Sequence, residues 1–181
     1  MNALTAPAMR RHGVYFYQHS DFLTKRVHDF VLEGVALGET VVVVATEEHR
    51  KALRRALVQG SAIQKTAYLD MDAEEYLSGF CAGGVLDKDR YLAVVTPFLT
   101  QVQESGRPIR LYGEGVTVLW NRGFRQAALE LEQWWNELIR QYRFSTVLCG
   151  YGVEAQTAEE LVDVLAMHSH VCLGEAIERT G

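Results

Sequence analysis

Thr40-Val41-Val42-Val43-Val44-Ala45-Thr46 is the stretch that decides the fold. It is β-branched or apolar at every position and lacks the in–out alternation of a strand with one wet face. A run of that kind belongs to a strand covered on both sides, as in a parallel sheet. Upstream, Asp21 stands at an N-cap position ahead of Phe22, Leu23, Val27, Phe30, Val31 and Val35, which recur at helical spacing until Gly38. Before that helix lies a short β-type run, Val14–Tyr17. Downstream, Glu47–Val58 begins acidic and turns basic, the polarity a helix dipole favours, and Gly60 closes it.

The alternation continues to the end of the chain. Thr66–Leu69 reads as a third strand, followed by a short helix Ala73–Phe80 capped by Asp72. Gly83-Gly84 is a break, and a helix runs from about Lys88 to Glu104. Pro108–Tyr112 is the fourth strand; helical spacing follows through Trp120, is interrupted at Gly123, and resumes from Phe124 to Tyr142. Ser145–Tyr151 is the fifth strand, Thr157–Met167 a last helix, and Ser169–Leu173 a sixth candidate strand. This pattern predicts an α/β chain: a three-layer α/β/α sandwich around a mainly parallel central sheet. Right-handed crossovers would collect the strand-to-helix loops on one sheet edge, where such folds bind ligands.

Composition narrows the function. The 181 residues carry a net charge of −5, are 48% hydrophobic, and include only 3 prolines, which excludes disordered and fibrous classes. A net negative chain with no helix-turn-helix spacing is not expected to bind nucleic acid directly. Cys81, Cys149 and Cys172 form no C-x-x-C and suit a reducing compartment. The N-terminus has no apolar signal region and the longest purely apolar run is Val41–Ala45, so a cytoplasmic protein without membrane contact is expected. The expected layout is a flexible tail at 1–11, a single domain at 12–173 and a C-terminal tail at 174–181.

The residues just past the strands gather on the ligand edge: His19, Glu47-Glu48-His49, Asp70 and Asp72, Gly113-Glu114-Gly115 and Tyr151. Asp21, Glu47 and Asp72 read equally well as helix caps. Glu114, between two glycines, is harder to explain that way. A pocket is therefore expected over this edge, lined by His19, Glu48, Asp70, Glu114 and Tyr151, with one crowded carboxylate either protonated or given a cationic partner. The edge is rich in carboxylates, and Lys25 is its only nearby lysine, which suits a small neutral or cationic organic molecule better than a phosphate.

No G-x-x-x-x-G-K-[ST], G-x-G-x-x-G or G-x-S-x-G occurs, so no nucleotide or dinucleotide cofactor and no catalytic residues are expected. His168, His170 and Cys172 form H-x-H-x-C, which on a strand would share one face; without a fourth zinc ligand in sight, a structural role is expected over a metal site. On the helix through Leu129, Trp135 is read as packing on the sheet while Glu132 and Asn136 cap nearby backbone. Trp134, one step round, would mark an interface if exposed.

Taken in order, several motifs resemble one family. They are His12…Tyr15-Phe16-Tyr17, Phe30…Gly34…Gly38-Glu39 leading into Val41–Thr46, Glu48-His49-Arg50, Leu69-Asp70…Ala73 and Arg110-Leu111-Tyr112-Gly113-Glu114. Leu119-Trp120…Gly123, Leu131-Glu132…Trp135-Asn136-Glu137-Leu138, Leu148-Cys149-Gly150-Tyr151 and His168-Ser169-His170-Val171 complete the set. The chain from residue 12 to about 172 resembles the MEDS domain, a methanogen/methylotroph, dichloromethane-repressor sensory domain. The resemblance implies a degenerate relative of KaiC- and RecA-type ATPases that has lost its P-loop and senses hydrocarbon derivatives. It also implies that Glu47-Glu48 is a relic of a catalytic glutamate pair.

Such domains work beside histidine-kinase, anti-sigma-factor or DNA-binding parts. No output unit is evident here, so signalling in trans to a kinase, an anti-sigma factor or a transcription regulator is expected, with a homo-oligomer among the expected partners. Gly115 replaces the family's usual methionine, and Cys149-Gly150-Tyr151-Gly152 lacks its usual Ala and Pro; both changes open space at the expected ligand edge. A protein-interaction module without ligand is the alternative. A residual nucleotide hydrolase using Glu47 or Glu48 with a divalent metal is the third reading.

Overall fold

The computed structural model describes residues 11–60, 68–152 and 158–172. Six strands form one sheet: β1 (Arg11–Tyr17), β2 (Thr40–Ala45), β3 (Tyr68–Asp72), β6 (Ile109–Gly113), β7 (Phe144–Gly152) and β8 (His170–Cys172). Their order is β3-β2-β6-β7-β1-β8, and every neighbouring pair is parallel. Helices α1 (Ser20–Ala36), α2 (Glu47–Gly60), α3 (Ala73–Ser78), α4 (Lys88–Gln103), α5 (Gly115–Asn121), α6 (Arg125–Gln141) and α7 (Ala158–Met167) connect them. Of the tails expected at 1–11 and 174–181, residues 1–10 and 174–181 lie outside the described residues, as do Thr66, Ala67, Thr157 and Leu173, while Arg11 belongs to β1.

Alternation along the strands builds the two helical layers. Val41, Val43 and Ala45 face α1 and α2, packing with Leu23, Val27, Phe30, Val31, Leu53 and Leu57. Val42 and Val44 face the opposite layer, where Tyr91, Leu99, Leu131, Trp135 and Leu138 fill a larger core. The Thr40–Ala45 strand is buried at every position, which is why its sequence shows no alternation. The architecture is the expected three-layer α/β/α sandwich.

Three features differ from the sequence reading. Asp21 lies in the first turn of α1, whose N-cap is His19. The break at Gly83-Gly84 is the turn of a two-stranded antiparallel hairpin, β4 (Cys81–Ala82) with β5 (Val85–Leu86). Both glycines have positive φ, 57° and 80°, as a two-residue hairpin turn of this type requires. A side chain at Gly84 would also collide with the Phe124 ring. Trp134 is 5% exposed and packs its ring on Tyr91, so it belongs to the core and marks no surface interface.

Candidate functional site

Crossovers from β2 run to one side of the sheet and those from β6 to the other, so β2 and β6 flank the point where strand order reverses. Glu114 sits there, at the N-terminus of α5, and is fully buried. Its carboxylate accepts hydrogen bonds from the Thr46 backbone N–H at 2.9 Å and the Tyr112 hydroxyl at 2.9 Å. His49 Nδ1 lies 2.9 Å from both oxygens. The imidazole then offers Nε2 toward Ser20 Oγ at 3.3 Å and meets the Tyr17 ring edge-on. Burial works against charge on His49. The hydrogen bond and charge of Glu114, with Glu48 adding to them, outweigh it and raise its pKa.

The five residues expected to line one pocket are distributed differently. His19 is exposed at the start of α1, its ring against Phe22, and makes no side-chain cap. Glu48 is exposed in the first turn of α2 and acts on His49 through its charge. Asp70 lies within β3 and is gripped by Arg50 Nε at 2.8 Å and by Arg54. Burial would raise its pKa, but the two guanidinium groups lower it. These arginines, rather than a lysine, are the cations of this edge. Asp72 caps α3, accepting from the N–H groups of Glu74 and Glu75, and also holds Arg50.

Tyr151 faces the other helical layer, where its hydroxyl donates to Glu132 Oε1 at 2.9 Å. The space beside it left by Gly150 is filled by the Tyr112 hydroxyl, since a side chain at 150 would collide with it. The glycine therefore admits a protein side chain that reaches Glu114.

Glu132 on α6 is the centre of a second polar cluster, which the sequence reading treated as a backbone cap. It is fully buried. His12 Nε2 lies 3.3 Å from its Oε2, Cys149 Sγ lies 3.5 Å from the same oxygen, and His168 Nε2 lies 3.4 Å from Oε1. His12 Nε2 is also 3.4 Å from Cys149 Sγ. Asn136 holds the outer nitrogen of His12 at 3.0 Å and anchors its own amide on the Met167 carbonyl. Burial would raise the Glu132 pKa, yet the two imidazoles hold it down at about 2. Burial and the Glu132 charge push the Cys149 thiol and the Tyr151 hydroxyl up.

The H-x-H-x-C segment is divided between the two faces. His168 precedes β8 and joins Glu132, whereas Cys172 packs against the α1–α2 core. Beside Cys149 is an apolar cavity of about 10 Å³, lined also by Val44, Tyr76, Leu111 and Trp135. That volume is room for roughly one water.

The architecture is that of an α/β domain whose strand order reverses between β2 and β6, with two buried acidic centres. A family model, the methanogen/methylotroph, DcmR sensory domain, matches residues 11–169, and the chain belongs to this MEDS family of sensory domains. No curated protein and no solved structure matches it. Among the described residues no helix is long and apolar enough to cross a membrane.

Proposed function

We propose that the chain is a non-catalytic sensory module that binds a small neutral or cationic organic molecule at the β2–β6 edge. It signals in trans to a regulatory partner such as a histidine kinase, an anti-sigma factor or a transcription regulator. The observation that carries this reading is the His49–Glu114 pair at the reversal of strand order. Glu114 is saturated by three donors and acts as the post that holds His49, whose side chain is 16% exposed, at this edge. The ligand contact expected of Glu114 thus passes to His49 and Ser20. Exposed Glu47 and Glu48 disfavour a phosphate there.

Native mass spectrometry of the untagged protein tests the reading. A small molecule should travel with the wild type and be lost from His49→Ala, with the fold retained by circular dichroism. A second reading, a ligand-free interaction module, is favoured by the filling of the Gly150 space by Tyr112. No bound molecule and no calorimetric response to candidate organics would select it. Calorimetric binding of ATP with Mg²⁺ and phosphate release would instead favour a hydrolase.

Duplex DNA is not proposed as a direct partner. Arg50 and Arg54 are tied to Asp70, and Lys51 to Glu47, so this basic stretch presents few free cations. Steeply salt-dependent duplex binding at physiological ionic strength would overturn that.

A further inference from the structure

We propose that His12, Glu132, Cys149 and His168 form a zinc-binding site with four protein ligands. The four come from β1, α6, β7 and the turn before β8, and their ligand atoms all lie within 4.8 Å of one another. His12 Nε2, Cys149 Sγ and Glu132 Oε2 stand 3.3, 3.4 and 3.5 Å from one another, and His168 Nε2 lies 3.4 Å from the other carboxylate oxygen, Oε1. Zinc bonds of about 2.0–2.1 Å to nitrogen, 2.0–2.2 Å to oxygen and 2.3 Å to sulfur, arranged tetrahedrally, place neighbouring ligands about 3.3 to 3.6 Å apart. The three mutual separations of His12, Cys149 and Glu132 match edges of that tetrahedron.

The outer hydrogen bonds point the same way. His168 Nδ1 lies 2.6 Å from the Val164 carbonyl, an acceptor only, so Nδ1 carries the proton and Nε2 faces inward. His12 Nδ1 faces Asn136 Oδ1, an oxygen whose placement is fixed because the amide's NH₂ donates to Met167 O. Both imidazoles are therefore oriented with Nε2 toward the centre by a backbone or amide oxygen behind them, as metal-ligating histidines are. Tyr151 steadies the carboxylate in turn. Among the described residues His168 Nε2, on a side chain with no exposure, has no hydrogen-bond partner despite its nearness to Glu132. A buried nitrogen without a partner is costly, and a cation at the centre would satisfy it.

Donor type selects the metal class. Two imidazoles, a thiolate and a carboxylate suit zinc, whereas calcium and magnesium take oxygen sets. A divalent ion with one thiolate and one carboxylate is also electrically neutral, which suits a site buried this deeply. With four protein ligands the coordination is closed, and the ion would tie β1 and β7 to α6 and the turn before β8. The competing occupants are protons on the imidazoles, with the thiol left neutral.

The test is elemental analysis of the full, untagged chain, followed by exchange with cobalt(II). About one zinc per chain is expected, and the cobalt form should show tetrahedral visible bands with a thiolate charge-transfer band. Cys149→Ala should abolish that band, and Cys172→Ala should leave it intact. Asn136→Ala, which spares every ligand, should weaken zinc affinity by about 10- to 100-fold. Absence of stoichiometric zinc after both purification and reconstitution would overturn the proposal. So would a cobalt spectrum without the thiolate band, or one that depends on Cys172. Should Cys149→Ala fail to fold, the wild-type cobalt spectrum and Asn136→Ala still decide the matter.

Discussion

Glu114 and Glu132 are both fully buried carboxylates, on opposite faces of one sheet, yet they are surrounded in different ways. Every neighbour of Glu114 stands at 2.9 Å: a backbone N–H, a tyrosine hydroxyl and one imidazole. These are closed, charge-assisted hydrogen bonds, and they leave the carboxylate no further work than holding its neighbours. Around Glu132, among the described residues, only the Tyr151 hydroxyl comes that close; two imidazoles and a thiol stand off at 3.3 to 3.5 Å. The first arrangement is a brace, and the second is a shell round a centre. The same residue type at the same burial thus serves two ends, decided by the distance and kind of its neighbours.

Removing each carboxylate is the most forceful way to break this contrast. Glu132→Ala strands two imidazoles, a thiol and a tyrosine in the core, and should cost about 3–5 kcal/mol in urea denaturation. Glu114→Ala strands one imidazole that retains some solvent contact, one hydroxyl and one N–H, so its cost should be smaller. An equal or larger cost for Glu114→Ala would erase the distinction. The milder Glu114→Gln keeps the shape but turns one acceptor into a donor facing donors. It should cost about 1–3 kcal/mol, lowering the thermal midpoint by about 3 to 10 °C for a chain of this size.

How far the sequence disclosed these centres follows from how local each signal is. The parallel sheet was legible at Val41–Val44 because burial on both faces leaves its mark on consecutive residues. The hairpin at Cys81–Leu86 was not, since strands of two residues carry no periodicity. Glu114 stood out through its flanking glycines, but its partner His49 follows only from the β2–β6 pairing. The Glu132 centre was harder still. His12 and His168 lie 156 positions apart, and it takes the β1–β7 register, with His12 opposite Val147 and Val14 opposite Cys149, to bring His12 beside that thiol. The available signal was a histidine in one strand and a cysteine in another, and nothing local to either segment joins them.

The two tyrosines offer a finer comparison. Tyr112 and Tyr151 are each buried and donate at 2.9 Å to Glu114 and Glu132 respectively. Each Tyr→Phe change removes one hydrogen bond to a charged acceptor without altering shape, a loss of about 1.5–3 kcal/mol. With zinc in place Tyr151→Phe should be the milder of the two, because the cation withdraws charge from the oxygen that Tyr151 contacts. Chelation should bring the two variants together. A Tyr151→Phe penalty larger than that of Tyr112→Phe in metal-loaded protein would contradict a cation at Glu132.

The smallest effect is the pH response of the brace, and it can be read at a single residue. His49 keeps one face toward solvent while Nδ1 is held against Glu114, so its proton exchanges with the medium without opening the core. Burial opposes its charge, and Glu114, seconded by Glu48, more than compensates, leaving the folded-state pKa above the ordinary 6.5. A raised histidine pKa contributes stability that is complete below the unfolded value and is lost as pH climbs through the folded one. The thermal midpoint should therefore decline slightly from pH 6.5 upward. In metal-free protein His168 is also raised, by the Glu132 carboxylate against its burial, so a bulk melting curve there mixes the two centres. NMR titration of ring-labelled histidines separates them. The His49 resonance should titrate above 6.5 in the wild type, and in Glu114→Gln its midpoint should fall, because the hydrogen bond and the charge that raise it are lost while the burial that lowers it remains. A His49 midpoint at or below 6.5 in the wild type, or one indifferent to Glu114→Gln, would mean that Glu114 does not brace this imidazole.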